Sequence, residues 1–232
     1  TMAMIMALSR NIPQATASLK QGKWEKKKLK GRELFNKTLG LVGSGHIGRI
    51  VADRAKGLKM NVIVYDPYIK PETIEKLDLE PVSFDELLKR ADYITIHTPK
   101  TDETTDLFNG ETISKMKKGA MLINCARGGI VNEEDLYGAL DTGHLGGAAL
   151  DVFATEPPGE IKLMGLSNFI CTPHLGASTE EAQDNVAKDV AEQIVAYLVS
   201  QAGPVLEAEI ETAEAPETAN GGQVDDKHAR TL

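Results

Sequence analysis

Three side chains that could act together on a substrate each follow a short apolar run. Arg127 lies in NCARGGIV (124–131), Glu156 in LDVFATEPP (150–158) and His174 in TPHLGAST (172–179). An arginine binds a carboxylate through a planar, bidentate fork, and a histidine exchanges protons near neutral pH. A carboxylate bonded to the far ring nitrogen would orient the imidazole. Together the three suit hydride and proton transfer on a 2-hydroxy acid, although each alone is more simply explained by an ion pair, solvation or a turn.

A glycine-rich stretch, LGLVGSGHIGRIVADRAKGL (39–58), predicts where a hydride carrier would bind. Gly43, Gly45 and Gly48 separate a strand-like run from apolar residues at helical spacing, and a second strand-like run ends at Asp66. This is the layout of a dinucleotide-binding β-α-β unit, with a pyrophosphate at the helix start. Asp66 would bond the adenosine ribose and repel a 2′-phosphate, which favours NAD over NADP. The alternative is a plain turn followed by a surface aspartate.

Strand-like runs alternate with helical segments, which predicts an α/β fold: a Rossmann-like, doubly wound parallel sheet with helices on both faces. The strand-like runs are 38–42, 61–65, 79–83, 93–97, 120–124, 148–152 and 169–173. Helices are expected over 83–91, 109–119, 132–143 and 179–200, the last with one face buried. Ligands of such sheets bind beyond the carboxyl ends of the strands. The candidate site is therefore formed by residues 43–48, 66, 97–99, 125–127, 151–156 and 174–177.

The composition argues against two classes of partner. The 232 residues carry a net charge of −8, which argues against a nucleic-acid surface, and the basic stretch KWEKKKLK (23–30) is interpreted as a solvated loop rather than a phosphate-binding site. The longest apolar run, MAMIMAL (2–8), is too short to cross a bilayer, and two cysteines indicate a reduced, cytoplasmic compartment.

Residues 1–202 are predicted to form one cofactor-binding domain with an interdomain helix at 1–18. Residues 203–232 are predicted to be a disordered acidic tail.

Several motifs resemble, in the same order, those of the D-isomer-specific 2-hydroxyacid dehydrogenase family. They include GSGHIGR (43–49), HTPKTDETTDLFN (97–109), NCARGGIVNEEDLYGAL (124–140), GGAALDVFATEPP (146–158) and CTPHLGASTEEAQ (171–183). The resemblance implies that Arg127 binds the substrate, that His174 exchanges its proton and that Glu156 partners His174. It implies no metal, and it implies NAD bound by Gly43, Gly45, His46, Ile47, Gly48, Asp66, Thr98, Pro99, Cys125, Ala126, Arg127, Asp151, His174, Gly176 and Ala177. Asp151 would meet the nicotinamide carboxamide, and His46 stands where family members often have arginine.

The resemblance also implies a homodimer formed through the cofactor domain, and it favours 3-phosphoglycerate as the 2-hydroxy acid. Members of the family have a substrate domain built from both ends of the chain, and this sequence contains no match to it. We therefore expect the cofactor domain alone, with cofactor binding and little turnover. Two alternatives stay open. One is another family member, such as a hydroxypyruvate or glyoxylate reductase, and the other is a non-catalytic NAD-binding or corepressor-like module.

Overall fold

The computed structural model describes residues 1–202. Residues 1–178 form one unit, and the segment that begins at Thr179 is a second unit, described by itself below. The acidic tail predicted at 203–232 lies outside the described residues.

Seven parallel strands form one sheet in the order β3-β2-β1-β4-β5-β6-β7. The strands consist largely of apolar residues that are buried on both faces, as parallel strands covered by helices require. This confirms the predicted fold class. The strand bounds are β1 Thr38–Val42, β2 Asn61–Tyr65, β3 Glu80–Pro81, β4 Tyr93–Ile96, β5 Met121–Asn124, β6 Gly147–Leu150 and β7 Phe169–Cys171.

Helices connect the strands and cover the sheet. In the described residues they are α1 Met2–Ser9, α2 Ile12–Lys20, α3 His46–Gly57, α4 Pro71–Glu75, α5 Phe84–Arg90, α6 Gly110–Ser114, α7 Glu133–Asp141, a 3₁₀ helix Lys162–Gly165 and α8 Glu180–Ala202. The start of α6 is a capping box between Asn109 and Thr112. This helix is shorter than the predicted 109–119, because its end tightens into three-residue turns such as the bond from Met116 N–H to the Ile113 carbonyl.

The single helix predicted over residues 1–18 is wrong: the chain forms α1 and α2 with a break between them. Asn11 interrupts the helix with a left-handed backbone, at φ 52°. Pro13 follows in the first turn of α2, where its missing N–H and fixed φ are tolerated, although they would disrupt a helix interior. After this break the chain starts a second helix, while α1 packs against β6 and β7.

Two apolar clusters fill the space on the two faces of the sheet. Successive strand residues contribute to opposite clusters, as the pleat requires. One cluster includes Val42, Leu87, Ile94, Ile96, Phe108, Leu122 and Leu136. The other includes Ile5, Leu8, Leu39, Leu41, Val51, Tyr93 and Ile123. With both faces covered, the carboxyl ends of the strands are left as the open edge of the sheet.

The second unit begins with α8, a helix of 23 residues. Its start is capped by Thr179 Oγ1, which accepts a hydrogen bond from the Ala182 N–H at 3.0 Å. The prediction that one face of this helix is buried is wrong, because its apolar stripe is 49–58 % exposed at Val186, Val190, Ile194 and Leu198. None of the helices within residues 1–202 combines the length and the apolar character needed to span a bilayer.

Candidate active site

The glycine-rich loop joins β1 to α3, where the strand order reverses between β1 and β4. Gly43 has a φ of 93°, and a Cβ there would lie 2.7 Å from the carbonyl oxygen of His97. A Cβ on Gly48 would overlap the carbonyl oxygen of Gly43, so α3 can pack this closely only because residue 48 lacks a side chain. Gly45 is different, since no atom lies within 4 Å of where its Cβ would stand. That open approach to the backbone fits a bound pyrophosphate.

The start of α3 faces the same open space. Gly45 occupies the position before the helix, and no side chain caps it. His46 and Ile47, in the first turn, are exposed. Backbone N–H groups in the first turn of a helix have no partner within it, and the helix dipole adds positive potential there. The loop and helix start therefore suit an anionic phosphate group.

Asp66 follows β2, and four protein donors hold its carboxylate. Oδ2 accepts from the Ser44 N–H at 2.7 Å and from the Ser44 hydroxyl at 3.0 Å, and Oδ1 accepts from the Tyr68 and Ile69 N–H groups at 3.0 and 3.2 Å. Partial burial raises the pKa of Asp66, but the hydrogen bonds outweigh it and hold the pKa below its ordinary value. A ribose would have to share oxygens that already accept about as many bonds as a carboxylate can. The fixed negative charge is the clearer feature of this residue.

The turn after β4 lies against Gly43. Thr98 Oγ1 is buried and has no hydrogen-bond partner within residues 1–202. Buried hydroxyl groups are nearly always bonded, so this oxygen fits a polar group of a bound cofactor. His97 is bonded through Nε2 to Thr95 Oγ1 at 3.0 Å, and burial lowers the pKa of its imidazole to about 4. His97 is therefore neutral near pH 7. Pro99, two residues further along this turn, is exposed.

Arg127 lies in a loop shaped by Asn124, the last residue of β5. The buried Asn124 amide donates to the Arg127 carbonyl at 2.9 Å, and its oxygen accepts from the Ala126 N–H at 3.0 Å. A Cβ on Gly128 would overlap the carbonyl oxygen of Phe153, so this loop is in backbone contact with the segment after β6. The Arg127 guanidinium is exposed and donates to the Ala126 carbonyl at 2.7 Å. It can be reached by a carboxylate from solvent.

Glu156 and His174 form a direct pair, with 2.7 Å between Glu156 Oε2 and His174 Nδ1. The other carboxylate oxygen of Glu156 accepts from the Phe153 N–H at 3.0 Å. The bond to His174 lowers the pKa of Glu156, with further lowering from the Phe153 N–H and from the charge of Arg127. When Nδ1–H donates to the carboxylate, Nε2 is the ring nitrogen left to exchange a proton with a substrate. His174 holds this position with a left-handed backbone, at φ 55°.

Asp151, directly after β6, fixes the turn that carries His174. Its buried carboxylate accepts from the Leu175 and Gly176 N–H groups at 2.8 and 2.9 Å and from the Thr172 hydroxyl. These bonds join the end of β6 to the turn after β7. The contact of Asp151 with a nicotinamide carboxamide stays a prediction, and the observed contacts give it a positioning role.

The predicted site residues lie in turns at one edge of the sheet. Cys125 and Ala126 belong to the turn held by Asn124, and Ala177 follows Gly176 on the exposed turn after β7. The charge of Arg127 acts on Glu156, although no hydrogen bond within residues 1–202 joins Arg127 to the Glu156–His174 pair. The sequence interpretation missed Ser44 and Asn124. The sequence carried a signal for Asn124, because a polar residue ends an apolar run three residues before Arg127. It carried none for Ser44, which is a serine between two glycines.

A comparison with protein families matches residues 2–176 to the D-isomer specific 2-hydroxyacid dehydrogenase, NAD binding domain. Among curated proteins, the D-3-phosphoglycerate dehydrogenase of Synechocystis sp. is 55 % identical over 193 residues, which cover 83 % of this chain and 35 % of that protein. The D-3-phosphoglycerate dehydrogenase of Methanocaldococcus jannaschii is 53 % identical, with coverage of 84 % and 37 %. The chain thus spans little more than a third of the length of these relatives.

Solved structures show the same fold. D-lactate dehydrogenase from Aquifex aeolicus, in complex with NAD and lactic acid, matches with a TM-score of 0.77 and 32 % identity, covering 86 % of this chain and 65 % of that one. A protein from Thermus thermophilus matches with a TM-score of 0.79 and 39 % identity, covering 86 % and 63 %. The family match covers most of the chain and includes both the glycine-rich loop and the Glu156–His174 pair. The chain therefore belongs to the D-isomer specific 2-hydroxyacid dehydrogenase family, of which it contains the NAD binding domain.

Proposed function

We propose that this chain is the cofactor-binding part of an NAD-dependent dehydrogenase that oxidises 3-phosphoglycerate to 3-phosphohydroxypyruvate, the first step of serine biosynthesis. The observation that carries the proposal is the 2.7 Å Glu156–His174 pair at the sheet edge that also holds the glycine-rich loop. The choice of 3-phosphoglycerate is supported by the names of the relatives at 50–55 % identity. They are described as D-3-phosphoglycerate dehydrogenases.

Each of the three predicted catalytic residues has a role in this proposal. The exposed Arg127 guanidinium binds the substrate carboxylate and polarises the C2 oxygen. His174 Nε2 takes the hydroxyl proton as C2 loses its hydride, and Glu156 stabilises the imidazolium that results. Bound NAD supplies the hydride acceptor. In the reverse direction His174 returns the proton to the carbonyl oxygen.

The cofactor contacts are proposed from the shape and chemistry of the loops. Gly45 and the first turn of α3, at His46 and Ile47, would hold the pyrophosphate. Asp66 and the buried Thr98 hydroxyl, which has no hydrogen-bond partner within residues 1–202, would line the adenosine half. The loops that carry Arg127 and His174 would hold the nicotinamide half. The remaining contacts are proposed because the residues lie in or next to these loops. They are Gly43, Gly48, Pro99, Cys125, Ala126, Asp151, Gly176 and Ala177.

A second candidate is cofactor binding without turnover by residues 1–232 alone. The side chains of Glu156 and His174 are 38 % and 50 % exposed, so this unit alone does not enclose the reacting atoms. Catalysis of this kind depends on a closed, water-poor site and on a substrate held at both ends. We therefore expect tight NADH binding but very low turnover from this chain, and full activity from a chain of the relatives' length.

The test measures NADH binding by fluorescence and NADH oxidation by absorbance, with phosphohydroxypyruvate, hydroxypyruvate and glyoxylate as substrates. Binding of NADH, together with preference for phosphohydroxypyruvate by a chain of the relatives' length, supports the proposal. Preference for glyoxylate or hydroxypyruvate would assign the chain to another member of the family. Rapid turnover by residues 1–232 alone, abolished in His174→Ala, would contradict the need for further walls around the site.

A homodimer and a cytoplasmic location are further parts of the proposal. Large apolar side chains on and after α2 are exposed, with Ile12 at 52 %, Leu19 at 59 % and Trp24 at 80 %. Such a patch is typical of an interface between subunits. Light scattering at a protein concentration of about tens of micromolar, far above the Kd of a stable dimer, measures the mass of the particle. The mass of a single chain would contradict the homodimer. Cys125 and Cys171 are both free thiols, in keeping with a reducing compartment.

A further inference from the structure

Ser44 lies between two glycines of the glycine-rich loop, yet it is fully buried. Its N–H and its hydroxyl both donate to the same oxygen, Asp66 Oδ2, at 2.7 and 3.0 Å. Its own carbonyl accepts from Arg49 Nε at 2.9 Å. Ser44 is thus held from the side of α3 and in turn holds the carboxylate at the end of β2. Because the hydroxyl is buried, it reaches a ligand only through Asp66.

The Asp66 carboxylate has little freedom in this arrangement. The Tyr68 and Ile69 N–H groups hold Oδ1, so each oxygen accepts two protein hydrogen bonds. A carboxylate held in this way can neither rotate nor withdraw when an anion approaches. The two bonds on Oδ1 come from residues of the same turn as Asp66, whereas the two on Oδ2 come from the glycine-rich loop. Within residues 1–202, Ser44 is therefore the residue that ties the orientation of this carboxylate to the glycine-rich loop.

The fixed orientation matters because the neighbouring side chains would favour a phosphate. Arg49 lies on α3 and contacts the Ser44 carbonyl, and His46 is exposed in the first turn of the same helix. A guanidinium and a helix start both attract a phosphate. The Asp66 charge opposes this attraction, and its effect depends on its distance from the added phosphate.

We propose that Ser44 is a positioning residue that sets the preference for NAD(H) over NADP(H) by holding the Asp66 carboxylate toward the 2′ position of the adenosine ribose. This inference rests on the proposed function, in which Asp66 faces that ribose. Without the Ser44 hydroxyl, Asp66 Oδ2 loses one of its two bonds and keeps the one from the Ser44 N–H, so the carboxylate is held less firmly and can shift away from a 2′-phosphate. NADP(H) then binds closer to Arg49.

The experiment measures the Kd of NADH and of NADPH by fluorescence titration for the 232-residue chain, for Ser44→Ala and for a matched control, Ser9→Ala. Ser9 is also a buried serine, and its hydroxyl bonds to the Ile5 carbonyl and the Tyr93 hydroxyl. We expect the ratio of the NADPH Kd to the NADH Kd to fall about fivefold in Ser44→Ala, the scale of one hydrogen bond. The ratio should not change in Ser9→Ala.

The same pair of measurements in an Asp66→Asn background separates positioning from a general loss of structure. If Ser44 acts through the Asp66 charge, Asp66→Asn and the double variant with Ser44→Ala should have the same Kd ratio. An unchanged or increased ratio in Ser44→Ala, or an equal fall of the ratio in the Asp66→Asn background, would overturn the inference.

Two further results keep the inference separate from folding and from the proposed function. If Ser44→Ala does not fold by circular dichroism, Ser44→Cys provides a side chain of similar size with a much weaker donor, and the same fall in the ratio is expected. If the unaltered chain binds neither NADH nor NADPH, the proposed function fails. If it prefers NADH and the Ser44 variants keep that preference, the inference alone fails.

Discussion

The partly buried imidazole of His97 should make the folding stability of this chain depend on pH. Its pKa is lowered by burial to about 4 from an ordinary value of 6.5. Between these two values the unfolded chain binds a proton that the folded chain excludes, so acidification favours unfolding. The contribution of neutral His97 is fully present above pH 6.5 and is lost as the pH falls toward 4.

The size of the effect follows from those two pKa values. Each pKa unit corresponds to about 1.4 kcal/mol, so the complete loss below pH 4 is about 3 kcal/mol, of which about 2 kcal/mol is lost by pH 5. In His97→Gln this position no longer titrates, while all other groups are kept. The free energy of unfolding should therefore fall by about 2 kcal/mol more in the unaltered chain than in His97→Gln between pH 7.5 and pH 5.

Urea unfolding at the two pH values measures this difference, and an NMR titration of the His97 ring measures the pKa directly. Comparison with the variant removes the contribution of carboxylates, which are the same in both chains. An equal loss of stability in both chains, or a ring that titrates near pH 6.5, would refute the argument that partial burial keeps this imidazole neutral.

Four further predictions concern the glycine-rich loop, Asp66 and the Glu156–His174 pair. Gly48→Ala should lower the free energy of unfolding by about 2 kcal/mol, because its methyl group overlaps the Gly43 carbonyl. Gly45→Ser, with open space around it, should leave stability unchanged and weaken NADH binding about tenfold. Urea unfolding measures the stability of both variants and calorimetry measures their NADH affinity. Equal stability of Gly48→Ala and Gly45→Ser would contradict the steric argument. Asp66→Ala should relax the preference for NADH over NADPH in calorimetric titrations, and a retained preference would remove its assigned role. In a chain of the relatives' length, Glu156→Gln should lower kcat about 100-fold with unchanged NADH affinity, since the imidazolium loses its partner. A wild-type kcat would show that His174 needs no carboxylate.

The order of elements and the outline of the site could be predicted from the sequence because both depend on local patterns. Apolar runs covered on both faces predict parallel strands, and glycines at 43, 45 and 48 followed by Asp66 predict a dinucleotide fold. The break at Asn11 was missed because a left-handed asparagine costs little locally, and helical spacing of apolar residues continues through it. The buried face predicted for α8 was wrong because amphipathic spacing shows that a face can be buried and leaves open whether a partner covers it.

The residue types that follow each strand can be read from the sequence, and they imply that a cation, an acid and a base share one edge of the sheet. Which atoms meet there depends on the packed fold. Strand order brings together the residues of three contacts: His174 Nδ1 with Glu156, Ser44 with Asp66, and Gly43 with the partly buried His97. β1 lies between β2 and β4, so Ser44 meets Asp66 on one side and Gly43 meets His97 on the other. Such contacts depend on packing between segments distant in the chain, and no local spacing encodes them.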